Sequence, residues 1–211
     1  MNILICAIMG YCIGGINPAY IIARIKGFDI RKRGSGNAGA SNAMMTMGKK
    51  VGVFIAVFDI FKAFCAVIIA AKLFPQLKIA KILAGSFCIL GHIFPVLMGF
   101  RGGKGLACLG GMIMAYDIRI FGILLICELV LGLTLDYVCV IPITGSMIFT
   151  TIYAFTTSDP VGTLMLSAIS IIVLLKHIEN LKRIQNGTEA HISFLWRKDE
   201  EIRRIKNNSS N

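Results

Sequence analysis

Charge is scarce in this chain. Of its 211 residues only 16% are Asp, Glu, Lys or Arg, and acids are the rarer sign, 11 against 22 bases. Soluble domains carry roughly 25% charged residues, so a soluble enzyme and a disordered tail are both poor fits. A nucleic-acid module, which a formal net charge of +11 would otherwise suggest, fits no better, because charge is nearly absent from long stretches. No CxxC occurs and no Cys/His cluster has zinc spacing, so the seven cysteines (6, 12, 65, 88, 108, 127 and 139) support neither a metal site nor a disulfide framework. They read as small hydrophobes packed in a core.

What fills the chain instead is apolar sequence: 56% of residues, with a mean hydropathy of +0.76. A bilayer core needs about 20 apolar helical residues, and segments 3–23, 51–73, 79–100 and 137–158 meet that length. Segments 119–135 and 160–176 are shorter spans. Segment 105–116 is too short to cross unaided at about 1.5 Å per residue and reads as a half-span or tilted element. Residues 3–23 lack both a basic flank before them and a small-residue cleavage site after them, so they read as a retained transmembrane helix. The expected fold is an all-α integral membrane protein of about seven transmembrane helices, one of them short, with six as the alternative. It forms a single membrane domain over 1–211, with a basic tail at 177–211. With seven passages, most of the Lys and Arg fall in loops 24–50, 99–104 and 135–137 and in that tail. The positive-inside rule then puts those parts in the cytoplasm and the N-terminus outside. The closing Asn207-Asn-Ser-Ser-Asn211 reads as a frayed end.

Three polar, glycine-bearing segments fall on that same side. The first runs from Arg31 to Asn42. Gly34, Gly36 and Gly39 allow close backbone approach and positive φ, successive N–H groups can make an anion-binding nest, and Ser35, Asn37, Ser41 and Asn42 add neutral donors. A flexible basic loop lying on anionic lipid is the alternative. The second is Gly91-His92-Ile-Phe94-Pro95 followed by Arg101-Gly102-Gly103-Lys104-Gly105. A helix starting near Leu106 behind that turn would offer free N–H groups and a positive dipole end to a phosphate. The spacing is not that of a Walker A loop, and a plain cationic connector is the alternative. The third is His177-Ile-Glu179-Asn180-Leu-Lys182-Arg183, then Gly187-Thr188-Glu189. His177 and Asn180, at i and i+3, share a helical face; by itself this is also what a snorkelling helix cap looks like. Phe194, Leu195 and Trp196 before Arg197 and Lys198 suggest an interfacial helix.

Within the apolar background, Asp59 and Lys62 stand at i and i+3. Each would cost about 2.5–3.5 kcal/mol at a membrane-helix centre, and a mutual ion pair lowers that cost. Glu128 has no partner nearby in sequence.

The order and spacing of these segments resemble the bacterial acyl-phosphate:glycerol-3-phosphate acyltransferases of the PlsY type. The matching stretches are YCIGGIN at 11–17, GSGNAGASN at 34–42, DIFK at 59–62, GHIFPVLMGFRGGKG at 91–105 and HIENLKRIQNGTE at 177–189. The resemblance implies a seven-helix membrane fold with its active site at the cytoplasmic face of a bacterial inner membrane and no metal or other cofactor. It implies transfer of a fatty acyl group from acyl phosphate to the 1-hydroxyl of glycerol 3-phosphate, giving lysophosphatidate and phosphate for phospholipid synthesis. The partners implied are membrane lipid and the two substrates, with an upstream enzyme forming acyl phosphate and no nucleic acid. By motif position, Ser35, Lys104, His177 and Asn180 look like the catalytic group. Gly34, Gly36, Asn37, Gly39, Asn42, His92, Arg101, Gly102, Gly103 and Gly105 look like substrate- and phosphate-binding residues. A proton acceptor is implied as well, either the acceptor's own phosphate or His177. No HxxxxD motif begins at His92, His177 or His191, so the catalytic pair of acyl-CoA and acyl-ACP acyltransferases is absent.

The chain departs from that pattern in places. Met45 stands where the family has arginine, a bidentate phosphate donor that Met does not replace. Ile178 replaces an arginine, Cys108 a threonine and Ala63 a glycine. Two other functions remain open at this stage: a related enzyme with a different acceptor, suggested by Met45, and a small transporter of a phosphorylated solute, suggested by Asp59, Lys62 and Glu128.

Overall fold

A chain this apolar must satisfy its backbone internally, since hydrocarbon offers no water to bond with, and helices do so locally. In the computed structural model, which describes residues 1–195 and 197–209, every regular element is helical. They are α1 Asn2–Gly15, α2 Pro18–Ile25, α3 Ala40–Met47, α4 Lys49–Leu73, α5 Ala80–Ile93, α6 Leu106–Tyr116, α7 Ile118–Leu135, α8 Val140–Thr156, α9 Pro160–Gln185 and α10 Lys198–Ser209. Short 3-10 turns occupy Ile30–Lys32, Val96–Met98 and Ile192–Leu195. Among the described residues five stretches are long and apolar enough to cross a membrane: Asn2–Ile25, Lys49–Leu73, Ala80–Met98, Ile118–Leu135 and Pro160–Gln185. Helices α6 and α8 are shorter apolar helices. Outward-facing Phe54, Val57, Phe61, Ile126, Val130, Leu133, Leu164 and Leu175 form the continuous apolar exterior that a lipid environment calls for.

Several boundaries differ from those expected of the sequence. The first span is broken: α1 stops at Gly15, and Asn17 caps α2 by accepting the Tyr20 N–H at 2.9 Å, with Pro18 at its first position. Proline has no N–H to continue the ladder and pushes the residue before it out of the helical region. The loop 24–50 contains α3. Segment 160–176 is the start of a 26-residue helix, begun by Asp159, which accepts the Gly162 N–H at 3.0 Å ahead of Pro160. His177 to Gln185 therefore continue α9 into the expected basic tail. Residues 207–209, expected to be frayed, close α10. Trp196, expected to be part of the interfacial segment, and Ser210 and Asn211, expected to be frayed, lie outside the described residues.

Close packing rests on small residues. A side chain at Gly10 would strike the Ala84 backbone, one at Gly14 the Cys88 carbonyl, and one at Gly91 the Tyr11 carbonyl, so α1 and α5 meet backbone to backbone. Membrane helices associate through such small-residue seams because apolar burial gives no drive between helices in lipid. Gly111 approaches the Ile60 carbonyl in the same way and joins α6 to α4. Two thirds of the α5 span is buried, against 17% of the α7 span, which makes α5 the central post. All seven cysteines are free. Cys6, Cys88, Cys108 and Cys139 are buried as expected; Cys65 is half-buried, and Cys12 and Cys127 face outward.

Candidate active site

The first polar segment is organised by one amide. Asn42, in the first turn of α3, is 1% exposed. Its Nδ2 donates to the carbonyls of Ile30, Arg33 and Asn37 at 2.9–3.1 Å, and its Oδ1 accepts the Ser35 N–H at 2.9 Å. The side chain holds a ring of backbone around itself, so Asn42 shapes the loop. Gly34 (φ 57°) and Gly36 (φ 73°) take the left-handed conformation expected. Gly39 does not: it is the extended N-cap of α3. Ser35 is exposed at the loop's crest, and Asn37 is half-buried. Asn17 donates to the Ala38 carbonyl at 3.0 Å and fastens the loop to the α1–α2 break.

Arg31 carries the loop to the second segment. Its guanidinium grips Asp29 (2.7–3.2 Å) and donates to the Met98 carbonyl at 2.6 Å. That guanidinium, bonded to the Asp29 carboxylate, holds its pKa at about 2.

The glycine turn at 102–105 is used differently from expectation. The Gly103 N–H donates to the His92 carbonyl and the Gly102 N–H to the Ile93 carbonyl, both at 3.1 Å. Two orphan acceptors at the C-terminal end of α5 are thereby satisfied, and these two N–H groups are not available to a phosphate. A side chain at Gly102 would meet the His92 carbonyl, and one at Gly103 the His92 imidazole. The N–H groups that remain without intrahelical partners belong to the first turn of α6, which begins after Gly105 (φ 92°). Arg101 is exposed beside the turn.

His92, expected as a ligand contact, lies beneath the turn at 3% exposure. Its Nδ1 is 3.1 Å from the Lys62 ammonium and 3.5 Å from Asp59. Lys62 is also 2.7 Å from Asp59 and donates to the Ile16 carbonyl at 2.6 Å. A cation at the open C-terminal end of α1 suits the negative end of that helix. Asp59, His92 and Cys108 bring ligand atoms within 4.8 Å of one another, a set able to hold a metal ion. In this arrangement the Lys62 ammonium supplies the positive charge against Asp59.

The third segment closes the site. The Lys104 ammonium donates to Asn180 Oδ1. Asn180 Nδ2 donates to Glu189 at 2.5 Å, and Arg183 pairs with the other Glu189 oxygen at 2.6 Å. His177, on the same buried face of α9 as Asn180, donates from Nδ1 to the Val173 carbonyl at 2.8 Å. A carbonyl only accepts, so this bond places the proton on Nδ1 and leaves the lone pair on Nε2. Burial and the nearby Arg183 charge lower the Lys104 pKa from its ordinary value. Lys176 lies 4.4 Å over the Phe94 ring, a second tie between α9 and the chain after α5.

Arg31 to Met98 and Lys104 to Asn180 thus join the three polar segments in series, one end to the other. Glu189, Arg183 and Asn17, which sequence reasoning gave no site role, complete that framework. For Asn17 the Asn-Pro pair was a readable signal of a helix start; for Glu189 and Arg183 nothing local marks the partnership.

Comparison with known proteins agrees with this architecture. Residues 4–187 match the family model described as glycerol-3-phosphate acyltransferase. Glycerol-3-phosphate acyltransferase of Bacillus subtilis is 35% identical over 92% of this chain and all of its own length. That of Aquifex aeolicus is 34% identical over 90% of this chain and 98% of its own. The crystal structure of PlsY (YgiH), an integral membrane glycerol 3-phosphate acyltransferase, in its glycerol 3-phosphate form superimposes with a TM-score of 0.83 at 32% identity, covering 92% of this chain and 98% of that one. Its lysophosphatidic acid form gives 0.79. With the family model spanning most of its length and the fold shared, this multi-pass membrane protein belongs to the glycerol-3-phosphate acyltransferase family.

Proposed function

We propose that the protein transfers a fatty acyl group from acyl phosphate to the 1-hydroxyl of glycerol 3-phosphate at the cytoplasmic face of a bacterial membrane, releasing lysophosphatidate and phosphate. The observation that carries this reading is the serial joining of the three polar segments, the segments that bear Ser35, Lys104, His177 and Asn180. Seven passages, with the N-terminus outside and the basic loops inside, are the topology that goes with it.

The chemistry asks little of the protein beyond placement. Acyl phosphate is a mixed anhydride with phosphate as a ready leaving group. The acceptor hydroxyl oxygen bonds to the acyl carbon, the tetrahedral adduct collapses, the C–O bond to phosphate breaks, and the hydroxyl proton ends on the released phosphate. Lys104 and the first-turn N–H groups of α6 would hold phosphate oxygens, and Ser35 and Asn180 would orient the acceptor. Two bases can carry the proton on its way: Nε2 of His177, and the acceptor's own phosphate. Orientation and fixed positive charge then supply most of the acceleration.

The transporter alternative finds no support in the placement of its residues. Asp59 and Lys62 are closed on each other, and Glu128 accepts from Thr144 at 2.7 Å, so none of them is set out along a water-lined path.

Purified protein given palmitoyl phosphate and glycerol 3-phosphate is expected to form lysophosphatidate and phosphate in equal amounts. Folded protein that forms neither, beside a working control enzyme, overturns the proposal. Met45, half-buried on α3, marks the departure from the family arginine. One charge-assisted bond to phosphate is worth about 1.5–3 kcal/mol, so Met45→Arg is expected to lower the KM for glycerol 3-phosphate by about tenfold or more. An unchanged KM places position 45 away from the acceptor.

A further inference from the structure

The family match ends at residue 187, yet the chain continues into α10, and α10 reaches back. Arg204 donates from one terminal nitrogen to the Gly187 carbonyl and from the other to the Glu189 carbonyl, each at 2.5 Å. Its direction is set by Glu201, which is 5% exposed and accepts from Arg204 at 2.5 and 3.0 Å and from the His191 N–H at 2.8 Å. Asp136, at the end of α7, anchors the intervening turn by accepting the Ser193 N–H at 2.9 Å and its hydroxyl at 2.8 Å. The Glu189 backbone is therefore held by Arg204 while its carboxylate holds Asn180 and Arg183.

We infer that Arg204 is a positioning residue: through the Gly187 and Glu189 carbonyls, the C-terminal helix holds Glu189 where it orders Asn180 and, through it, Lys104. A guanidinium suits this task because its fixed fork reaches two carbonyls and a carboxylate together; an ammonium spans fewer of them. The inference rests on the acyl-transfer reading for its effect on turnover, and on the hydrogen-bond chain alone for its effect on the 187–189 turn.

Both effects are measured in the full-length protein. In Arg204→Gln, deuterium uptake of peptides covering 180–190 is expected to quicken about tenfold as the turn opens, while Arg203→Gln, at an exposed position of the same helix, leaves it unchanged. The kcat/KM for glycerol 3-phosphate is expected to fall about tenfold in Arg204→Gln, the scale of a modest misplacement of reacting groups, with partial recovery in Arg204→Lys. The alkaline limb of kcat/KM should move to lower pH as well. Lys104 is faced by Arg183, Glu189, Glu179, Cys139 and His177, and of these Glu189, which supports the charged ammonium, is the one released. A general loss of stability would lower the amount of active enzyme without moving that limb. Unchanged exchange in Arg204→Gln overturns the inference whether or not acyl transfer is seen. Quickened exchange with wild-type kcat/KM and pH profile removes the positioning role. Quickened exchange in a protein whose wild type makes no lysophosphatidate upholds the hold of Arg204 on the 187–189 turn and overturns the acyl-transfer reading.

Discussion

Lys104→Ala is expected to lower kcat/KM for acyl transfer by about 10²- to 10³-fold, the loss that follows removal of one preorganised charge stabiliser from a water-poor site, while the protein stays folded. The side chain is only half-buried and leaves from a turn rather than a helix core, and the turn is held by backbone bonds from Gly102 and Gly103 that an alanine at 104 does not disturb. Steady-state kinetics with palmitoyl phosphate, set beside a thermal unfolding curve in detergent, reads both quantities. Lys104 is lowered in pKa by burial and by the Arg183 charge. The sign follows: the ammonium is the form that holds phosphate, so wild-type kcat/KM should decline on the alkaline side at a pH below the ordinary lysine value of about 10.4. Activity within threefold of wild type in Lys104→Ala would remove this residue from the reaction.

Lys62→Met should be the most damaging single change to stability, costing about 3–5 kcal/mol, because it strands a buried carboxylate. Asp59 is 2% exposed and Lys62 4%, and the same ammonium also closes the end of α1 at Ile16. The double variant Asp59→Leu/Lys62→Met is expected to recover most of that loss, as buried ion pairs replaced whole by apolar groups often do. Unfolding midpoints of the two single variants and the double variant, taken as a cycle, give the coupling. Additive single effects would show that the pair does not act as a unit. His92 depends on the same cluster and holds up the glycine turn, so Lys62→Met protein that still folds should also show a raised KM for glycerol 3-phosphate.

The two predictions differ in how far they were visible beforehand. Lys104 stands in a short glycine-rich cationic turn before an apolar helix, a pattern readable as a phosphate site without coordinates. Asp59 and Lys62 at i and i+3 were readable as a pair, since two opposite charges in hydrocarbon have little alternative. That Lys62 also meets His92, thirty residues on, was not readable. The backbone ties of Asn42 were hidden for a related reason: an amide in a glycine-rich loop looks the same in sequence whether it faces a ligand or ties the loop's own backbone. For Gly102 and Gly103 a local pattern shows which N–H groups are unhindered, not that the Ile93 and His92 carbonyls lie opposite them.

What the sequence determined by itself is the membrane class, the approximate places of the apolar helices, the three polar stretches and their family resemblance. Hydrophobic length and glycine-cation patterning are local quantities, and a bilayer leaves few ways to satisfy them. What only the tertiary structure decided is who partners whom: Arg31 with Met98, Lys104 with Asn180, His92 with Lys62, and Arg204 with Gly187 and Glu189. Those contacts join residues far apart in the chain or on separate elements, and their closeness depends on how whole helices pack, which no single stretch of sequence contains.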